Sequence, residues 1–315
     1  MAKVNSVLGP IDTNDLGFTL MHEHILVMNW DMRQAVPGWF DRKEFIQHAV
    51  KEVQSAKERG VKTMVDLTPI NLGRDISVIK EVAEKAEMQI IAATGYYWFE
   101  HPMYQWREVE ELVDFLIRDI TDGIQGTDVK AGIIKCATDQ PGVTDINKKL
   151  LQAAARMHRA TGVPISTHSD VHTHTGYKQQ DVFEEEGVDL KRVVIGHCGD
   201  SEDAGHLESI MKRGSLIGMD RFGIDMLLPT PQRVSVIAEL CRRGYAEQMV
   251  LAHDAACHID WFPKGMVEAT VPNWNFRHIS DDVIPALRKE GVTEAQIEAM
   301  TVGNPRRVFE NHGAY

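Results

Sequence analysis

Short apolar runs alternate with amphipathic stretches from one end of the chain to the other. Eight runs have the length and composition of buried strands, and they occupy residues 19–25, 63–67, 90–94, 132–136, 164–168, 193–197, 215–219 and 249–253. Helical periodicity lies between them, most clearly over residues 45–59, 112–120, 150–159 and 232–243. Eight βα units without a linker predict one α/β domain over residues 1–315, a (β/α)8 TIM barrel. A doubly wound sheet uses the same units and stays open as an alternative.

The segment after the eighth predicted strand is long and begins with a stretch rich in tryptophan and proline. Residues 261–274 suit neither a helix nor a strand, so they predict an ordered loop over the carboxyl-terminal mouth of the barrel. Helical patterns follow at residues 282–290 and 293–300. Asn304 and Pro305 then predict an N-cap and the first position of a last helix that reaches Phe309.

Side chains that bind metals gather at the predicted strand ends. They are His22 and His24 in the first strand, His168 in the fifth, His197 in the sixth and Asp254 after the eighth. In a parallel barrel these ends meet at one face, where barrel enzymes place their chemistry. His22 and His24 are two residues apart and point the same way, while Glu23 points away. Imidazole and carboxylate donors suit zinc, cobalt, iron or manganese, and five of them predict two divalent ions rather than one.

Lys135 ends the fourth predicted strand and would lie among these ligands. Two nearby cations and burial both disfavour its ammonium form, so the side chain is expected to be neutral or to have reacted. A carbamate formed with carbon dioxide would turn it into an anionic bridge with two oxygens. The alternative is a Schiff-base lysine, as in a class I aldolase or decarboxylase.

A second His-x-His pair, His172 and His174, has the same spacing but follows the fifth strand in a polar segment that a glycine ends. We therefore predict that it lies on a loop, outside the metal cluster. The remaining singled-out histidines are expected to be hydrogen-bonded structural residues: His48, His101, His158, His206, His278 and His312.

The net charge and the cysteines indicate which binding partners and which cellular location to expect. The net charge of −12 disfavours nucleic acids and anionic membranes. The four cysteines show no CxxC spacing and fit a reduced, cytoplasmic protein. No secretory h-region and no long apolar span are present in the sequence. A small-molecule substrate is the remaining expectation.

Seven segments together resemble the phosphotriesterase-like lactonases of the amidohydrolase superfamily, from about residue 8 to residue 309. They are TLMHEH, AGIIKCATD, VPISTHSDVHTHTG, VVIGHCGD, GMDRFGID, LAHDA and IDWF. The resemblance implies a binuclear metal centre in which His22, His24 and Asp254 bind the more buried ion. It implies that His168 and His197 bind the more exposed ion, and that N6-carboxylated Lys135 bridges both.

The resemblance also implies an activity, the hydrolysis of N-acyl-homoserine lactones and related γ- or δ-lactones, with weak phosphotriesterase activity beside it. Asp254 would move protons, Tyr97 would orient the ester and Arg221 would hold the loop that shapes the pocket. Four aromatic residues would contact the acyl chain: Trp98, Phe99, Trp261 and Trp274. Family members tend to be homodimers. A dedicated phosphotriesterase is the first alternative, a Schiff-base aldolase using Lys135 is a remote one, and a metal-storing binding protein is more distant still.

Overall fold

The computed structural model describes residues 2–310 and 313–315, and its centre is a nearly closed barrel of eight parallel strands. The strands of the described chain are β1 Lys3–Ser6, β2 Gly9–Asp12, β3 Thr19–Glu23, β4 Thr63–Asp66, β5 Gln89–Gly95, β6 Ile133–Ala137, β7 Ile165–His168, β8 Val193–Ile195, β9 Leu216–Met219 and β10 Met249–Leu251. From β3 to β10 each strand pairs with its neighbour in the chain. The (β/α)8 barrel predicted from the sequence is confirmed.

The barrel closes through irregular pairing beyond the end of β10. The main-chain N–H of Asp254 donates to the carbonyl of His22 at 2.9 Å, and the N–H of His24 donates to the carbonyl of Ala255 at 2.8 Å. These bonds fasten the segment after β10 to the end of β3. Residues of the first and last barrel strands are thereby brought side by side at the carboxyl-terminal face.

Helices surround the barrel. They are α1 Trp30–Ala35, α2 Arg42–Lys57, α3 Ile76–Ala86, α4 Pro102–Gln105, α5 Val109–Leu116, α6 Arg118–Thr121, α7 Asp145–Thr161, α8 Thr175–Glu185, α9 Ala204–Lys212, α10 Thr230–Arg242, α11 Met266–Thr270, α12 Ile284–Lys289, α13 Glu294–Glu298 and α14 Asn304–Phe309. The longest one, α7, begins where the Thr144 hydroxyl accepts the N–H of Asn147 and ends at Gly162 in the left-handed conformation, which only glycine adopts without cost. No helix within the described ranges is long and apolar enough to cross a membrane.

The barrel strands are buried on both faces because one face meets the helices and the other fills the barrel interior. Val65, Ile91, Ile133 and Val250 belong to the interior cluster, together with Val4 of β1. The β1–β2 hairpin was not predicted from the sequence. It lies against the starts of β5 and β6, where the N–H of Val7 donates to the carbonyl of Ile90 at 2.8 Å. The hairpin thus covers the end of the barrel opposite the candidate site.

Two predictions for the last third of the chain are wrong in detail. The segment 261–274 contains the short helix α11. Asn304 does not cap α14: its backbone is helical, a π-helical turn (Ala299–Gly303) leads into it, and its buried amide donates to the carbonyls of Ala246 at 2.8 Å and Met249 at 2.6 Å. The sequence pair Asn-Pro is typical of a cap, but here the tertiary contacts with the start of β10 decide the role of the asparagine.

Asn304→Ala is expected to lower the free energy of unfolding by about 1–3 kcal/mol, because it removes a buried amide that donates to two main-chain carbonyls. Urea unfolding followed by circular dichroism measures this. Asn275→Ala, at a half-buried position in a turn, serves as the control and should change stability less, because its amide donates to the single carbonyl of Pro272. Equal stability of the Asn304 variant and the wild type would contradict the assigned role.

Candidate active site

Six side chains from five barrel strands and the residues directly after them converge at the carboxyl-terminal face of the barrel: His22, His24, Lys135, His168, His197 and Asp254. In the first half of the cluster, the Nε2 atoms of His22 and His24 lie 3.2 and 3.0 Å from Oδ1 of Asp254. The amine of Lys135 lies 2.9 Å from His22 Nε2 and 3.3 Å from the carbonyl of Thr167. These are the side chains that the sequence analysis placed around a more buried ion.

The second half of the cluster adjoins the first. His168 Nδ1 lies 2.7 Å from His197 Nε2, and that nitrogen lies 3.8 Å from Oδ2 of Asp254. All the predicted metal-binding side chains are thus brought together. His172 and His174 are not among them, because they lie on the loop between β7 and α8, where His174 Nδ1 faces His206 Nε2 at 3.3 Å.

Asp220, at the end of β9, fixes two of the imidazoles. Its carboxylate accepts the Nδ1–H of His22 and the Nδ1–H of His197, both at 2.9 Å, and the main-chain N–H of His197 at 3.1 Å. A carboxylate can only accept, so each Nδ1 carries the proton and each Nε2 has its lone pair free. His22, His197 and Asp220 also form a compact trio of possible ligands, but the hydrogen-bonded Nδ1 atoms make Asp220 an orienting group.

The other two histidines have their own partners. His168 donates through Nε2 to Asp139 at 3.0 Å, which leaves its Nδ1 lone pair facing the cluster. His24 Nδ1 lies 2.8 Å from the hydroxyl of Thr68. Such partners set the tautomer and the ring orientation of metal-binding histidines.

The donor set fits divalent cations. Asp139 holds the proton of His168 on Nε2, and Asp220 holds the proton of His197 on Nδ1. The two remaining ring nitrogens, His168 Nδ1 and His197 Nε2, therefore each carry a lone pair, and they face each other at 2.7 Å. Two acceptors at this distance repel each other unless a positive charge lies beside them. A shared proton is disfavoured because burial lowers the pKa of His168 to about 4. The arrangement therefore matches ligands that await a cation.

The protonation states agree with this interpretation. Burial lowers the pKa of His22 and carries that of His197 well below its usual value. Burial also lowers the pKa of Lys135 to about 8. Burial alone would raise the pKa of Asp254, but His22 and His197 beside it hold that pKa well below its ordinary range. At neutral pH the site therefore offers neutral imidazoles and an ionised carboxylate, the forms that bind metals.

Three site residues that follow barrel strands have the left-handed backbone conformation, with φ of 62° at His197, 62° at Arg221 and 55° at Asp254. For residues other than glycine this conformation costs on the order of 1–3 kcal/mol, and it persists only where the surroundings enforce it. The turn that it produces directs each side chain back over the barrel mouth.

The cluster forms the floor of a cavity of about 390 Å³. Arg221 reaches it from the loop after β9, with ion pairs to Asp254 at 3.2 Å and Asp200 at 2.9 Å. The hydroxyl of Tyr97 lies 3.4 Å from His168 Nδ1. The apolar part of the wall consists of Val27, Leu72, Val171, Ile224, Leu227, Ala256, Ile259, Trp261, Phe262 and Trp274.

The four aromatic residues predicted to contact substrate divide into two pairs. Trp261 and Trp274 line the cavity, and the Trp274 indole also donates to the carbonyl of His253 at 2.9 Å. Trp98 and Phe99 do not line it. Their rings lie 6.1 and 4.9 Å from the ring of Tyr97, and the ring of Phe99 also lies 5.9 Å from that of Trp261. Strand β5 ends at Gly95, before Tyr97, so the strand geometry does not direct Trp98 and Phe99 toward the cavity.

Several functional contacts were missed from the sequence. Asp220 was overlooked although it follows a predicted strand directly, the same signal that identified His197 and Asp254. Phe262, Ile224 and Leu227 could not be assigned to the cavity because their positions depend on the path of long loops.

The sequence model of the phosphotriesterase family matches residues 2–309. The chain belongs to the phosphotriesterase family. This family is part of the amidohydrolase superfamily, and its members typically depend on two metal ions. The cluster of histidines and aspartate in this chain agrees with that dependence.

Relatives of known name support the assignment along the whole chain. A phosphotriesterase homology protein of Mycobacterium tuberculosis is 48% identical over 100% of both chains. The aryldialkylphosphatase of Saccharolobus solfataricus is 39% identical over 95% of this chain and 96% of its own. The solved structure of the phosphotriesterase from Mycobacterium tuberculosis aligns with a TM-score of 0.96 and 48% identity, covering 99% of this chain and 100% of that one. This phosphotriesterase-family chain is thus related to hydrolases of esters and phosphoesters.

Asp220→Asn is expected to weaken divalent-metal binding by about 10–100-fold, the usual effect of removing an orienting partner of metal-binding histidines. The asparagine amide keeps one oxygen that accepts an Nδ1–H, but its NH2 group faces the Nδ1 of the other histidine. That histidine, His22 or His197, then no longer keeps its proton on Nδ1. Chelator competition measures the affinity. Asp225→Asn, on the same loop but holding Thr230, is the matched control and should bind metal as the wild type does.

Proposed function

We propose that this protein is a metal-dependent lactonase that hydrolyses N-acyl-homoserine lactones and related γ- or δ-lactones, with weak phosphotriesterase activity. The observation that carries the proposal is the cavity: a floor of metal-binding side chains lies under an apolar wall that includes Trp261 and Trp274. A substrate that carries a polar reacting group on an apolar chain suits such a site, because the reacting group meets the floor and the chain meets the wall. The relatives reported above have phosphotriesterase or aryldialkylphosphatase names, and the lactone specificity is our own proposal.

The metal-binding roles are assigned residue by residue. His22, His24 and Asp254 would hold one divalent ion, and His168 and His197 would hold a second. Lys135, as its carbamate, would bridge them. Zinc, cobalt, iron and manganese all accept such nitrogen and oxygen donors. Two bound cations would supply an activated water and would polarise the carbonyl of the substrate.

Asp254 is the proposed proton carrier. Its carboxylate is ionised, lies at the centre of the cluster and is held by Arg221 Nε at 3.2 Å. It can accept the proton of the attacking water and donate it to the alkoxide oxygen that leaves when the ring opens. A guanidinium does not deprotonate in proteins, so Arg221 holds the carboxylate without competing for the proton.

Tyr97 is proposed to orient the ester. Burial raises the pKa of its hydroxyl above the ordinary value, so the group keeps its proton and can donate a hydrogen bond to a substrate oxygen. Trp98 and Phe99, which pack against its ring, are proposed to hold Tyr97 in place and not to contact substrate. Trp261 and Trp274 would contact the acyl chain, where each buried methylene contributes about 0.8 kcal/mol.

Two alternatives differ in what they require. A dedicated phosphotriesterase is favoured by the relative named as an aryldialkylphosphatase. A Schiff-base aldolase would need Lys135 to meet a carbonyl substrate, but its amine contacts His22 and Thr167 at the base of the cluster. Family membership also favours hydrolysis over carbon–carbon bond chemistry.

A panel of substrates on the zinc- or cobalt-reconstituted protein tests the proposal. We expect kcat/KM to be highest for a lactone, to vary with acyl length, and to exceed the value for an aryl phosphotriester. A phosphotriester preferred over every lactone would establish the first alternative. Hydrolysis of neither class would exclude both.

We propose further that residues 1–315 act as a single domain, as a homodimer and in the cytoplasm. The four cysteines, all free and buried within the described residues, support a reducing location. Gel filtration with light scattering tests the dimer.

A further inference from the structure

Glu23, the last residue of β3, lies between His22 and His24 in the chain and faces away from them. Its side chain is 1% exposed, and it is not one of the proposed metal ligands. A buried carboxylate is costly unless it is fully hydrogen-bonded. Its partners therefore indicate what it does.

Both oxygens of Glu23 bind the residues on either side of Asp254. Oε1 accepts the main-chain N–H of His253 at 2.9 Å and the Nδ1–H of the same residue at 2.7 Å. Oε2 accepts the main-chain N–H of Ala255 at 3.0 Å. His253 Nε2 accepts the N–H of Ile279 at 3.0 Å, which fixes the proton on Nδ1. All three groups that meet Glu23 are donors.

The main chain of β3 holds the same segment. Asp254 N–H donates to the carbonyl of His22, and the N–H of His24 donates to the carbonyl of Ala255. Together with the Glu23 carboxylate, these bonds fix residues 253–255 while Asp254 takes its left-handed conformation, with φ of 55°. A strained residue keeps such a conformation only when its neighbours are held.

We infer that Glu23 is a positioning residue that sets the direction of the Asp254 carboxylate. We call the hydrogen bonds that the Glu23 carboxylate accepts from His253 and Ala255 the clamp. Without the clamp, residues 253–255 can relax toward ordinary backbone angles, and the Asp254 carboxylate would turn away from His22 and His24. This inference rests on the proposed metal-dependent hydrolase function. The positioning role requires that both side-chain oxygens of residue 23 accept hydrogen bonds, and a glutamine has only one such oxygen.

Glu23→Gln is the sharpest test because it preserves the size of the side chain. The new amide opposes either the N–H of Ala255 or the two N–H groups of His253, so at least one bond is lost. We expect divalent-metal affinity, measured by chelator competition, and kcat each to fall by about 10–100-fold. KM should change little, because Glu23 lies outside the substrate cavity.

Asp119→Asn is the matched control. Asp119 is also a buried carboxylate, accepting the Thr94 hydroxyl at 2.7 Å and pairing with Arg74 at 2.8 Å, but it lies outside the cavity. It should lower the midpoint of thermal unfolding without changing metal affinity or kcat. A general loss of stability is thereby distinguished from a loss of positioning.

A double-variant cycle makes the inference specific to Asp254. In the Asp254→Asn background, Glu23→Gln should cause no further loss of metal affinity, because the group that it positions is already changed. An undiminished loss in that background would overturn the inference, as would wild-type affinity and kcat for Glu23→Gln alone. If that variant does not fold, Glu23→Asp, which reaches only one flanking residue, takes its place in the same cycle. Failure of both to fold while Asp119→Asn folds would make Glu23 a general structural residue and overturn the proposal.

The metal-affinity readout requires no substrate. If the wild type binds metal but hydrolyses neither lactones nor phosphotriesters, the proposed function fails while the affinity cycle still tests Glu23. If the wild type hydrolyses lactones and the cycle shows no coupling, the inference about Glu23 fails alone.

Discussion

Asp254→Asn is expected to lower kcat for a lactone by about 10²–10⁴-fold, the range that a positioned general acid–base contributes. The asparagine has the shape of the aspartate but cannot accept a proton. Its amide nitrogen would also replace one of the two oxygens that now lie 3.0–3.2 Å from Arg221 Nε and from the imidazoles of His22 and His24, and an amide nitrogen neither accepts from a guanidinium nor binds a metal ion. The expected result is therefore a loss of turnover together with weaker metal binding.

Steady-state kinetics and metal analysis of the same preparation separate these two effects. Saturation with added metal should restore occupancy without restoring kcat, since the proton carrier is still absent. Asp128→Asn, an exposed position that pairs loosely with Lys80, controls for the substitution itself. Wild-type kcat in Asp254→Asn would remove this residue from the mechanism.

Lys135→Ala is expected to abolish most lactone hydrolysis, with kcat/KM reduced by at least about 100-fold. Lys135 is 1% exposed and lies 2.9 Å from His22 Nε2, and no other lysine of the described residues lines the cavity. If the lysine acts as a carbamate bridge, a short carboxylate such as acetate or propionate can enter the vacated space and supply two oxygens. Added carboxylate should then restore part of the rate.

The outcomes for Lys135 distinguish the carbamate from its rivals. Lys148→Ala, which removes an exposed ion pair with Glu185, should keep the wild-type rate with or without carboxylate. A fully active Lys135→Ala would contradict the bridge. Covalent trapping of a carbonyl substrate on Lys135 by borohydride would instead support the Schiff-base alternative.

The barrel and its polar floor could be predicted from the sequence because both depend on local signals. Strands that are buried on both faces appear as short apolar runs, and the parallel arrangement then assigns their ends to one face. Lys135, His168 and His197 were placed in this way. The same signal was available for Asp220, but an aspartate beside an arginine resembles an ordinary surface pair in the sequence.

Other features depend on contacts that are distant in sequence. The amide of Asn304 donates to two carbonyls at and just before the start of β10. The sequence pair Asn-Pro does not distinguish this role from that of a helix N-cap. Trp98 and Phe99 were assigned to the cavity because they follow Tyr97 in the chain, but they contact the ring of Tyr97 and are not among the residues that line the cavity. The clamp of Glu23 on residues 253–255 joins β3 to the segment after β10, and the sequence indicated only that Glu23 points away from the metal-binding histidines.

The most direct test of the central claim is lactone hydrolysis during removal and return of metal. Purified protein is treated with a chelator, freed of it, and titrated with zinc or cobalt while the initial rate of lactone opening and the bound metal are measured together. We predict that activity is lost with the metal and returns as the chain takes up two ions. Unchanged lactone hydrolysis in protein that contains no divalent metal would contradict the account.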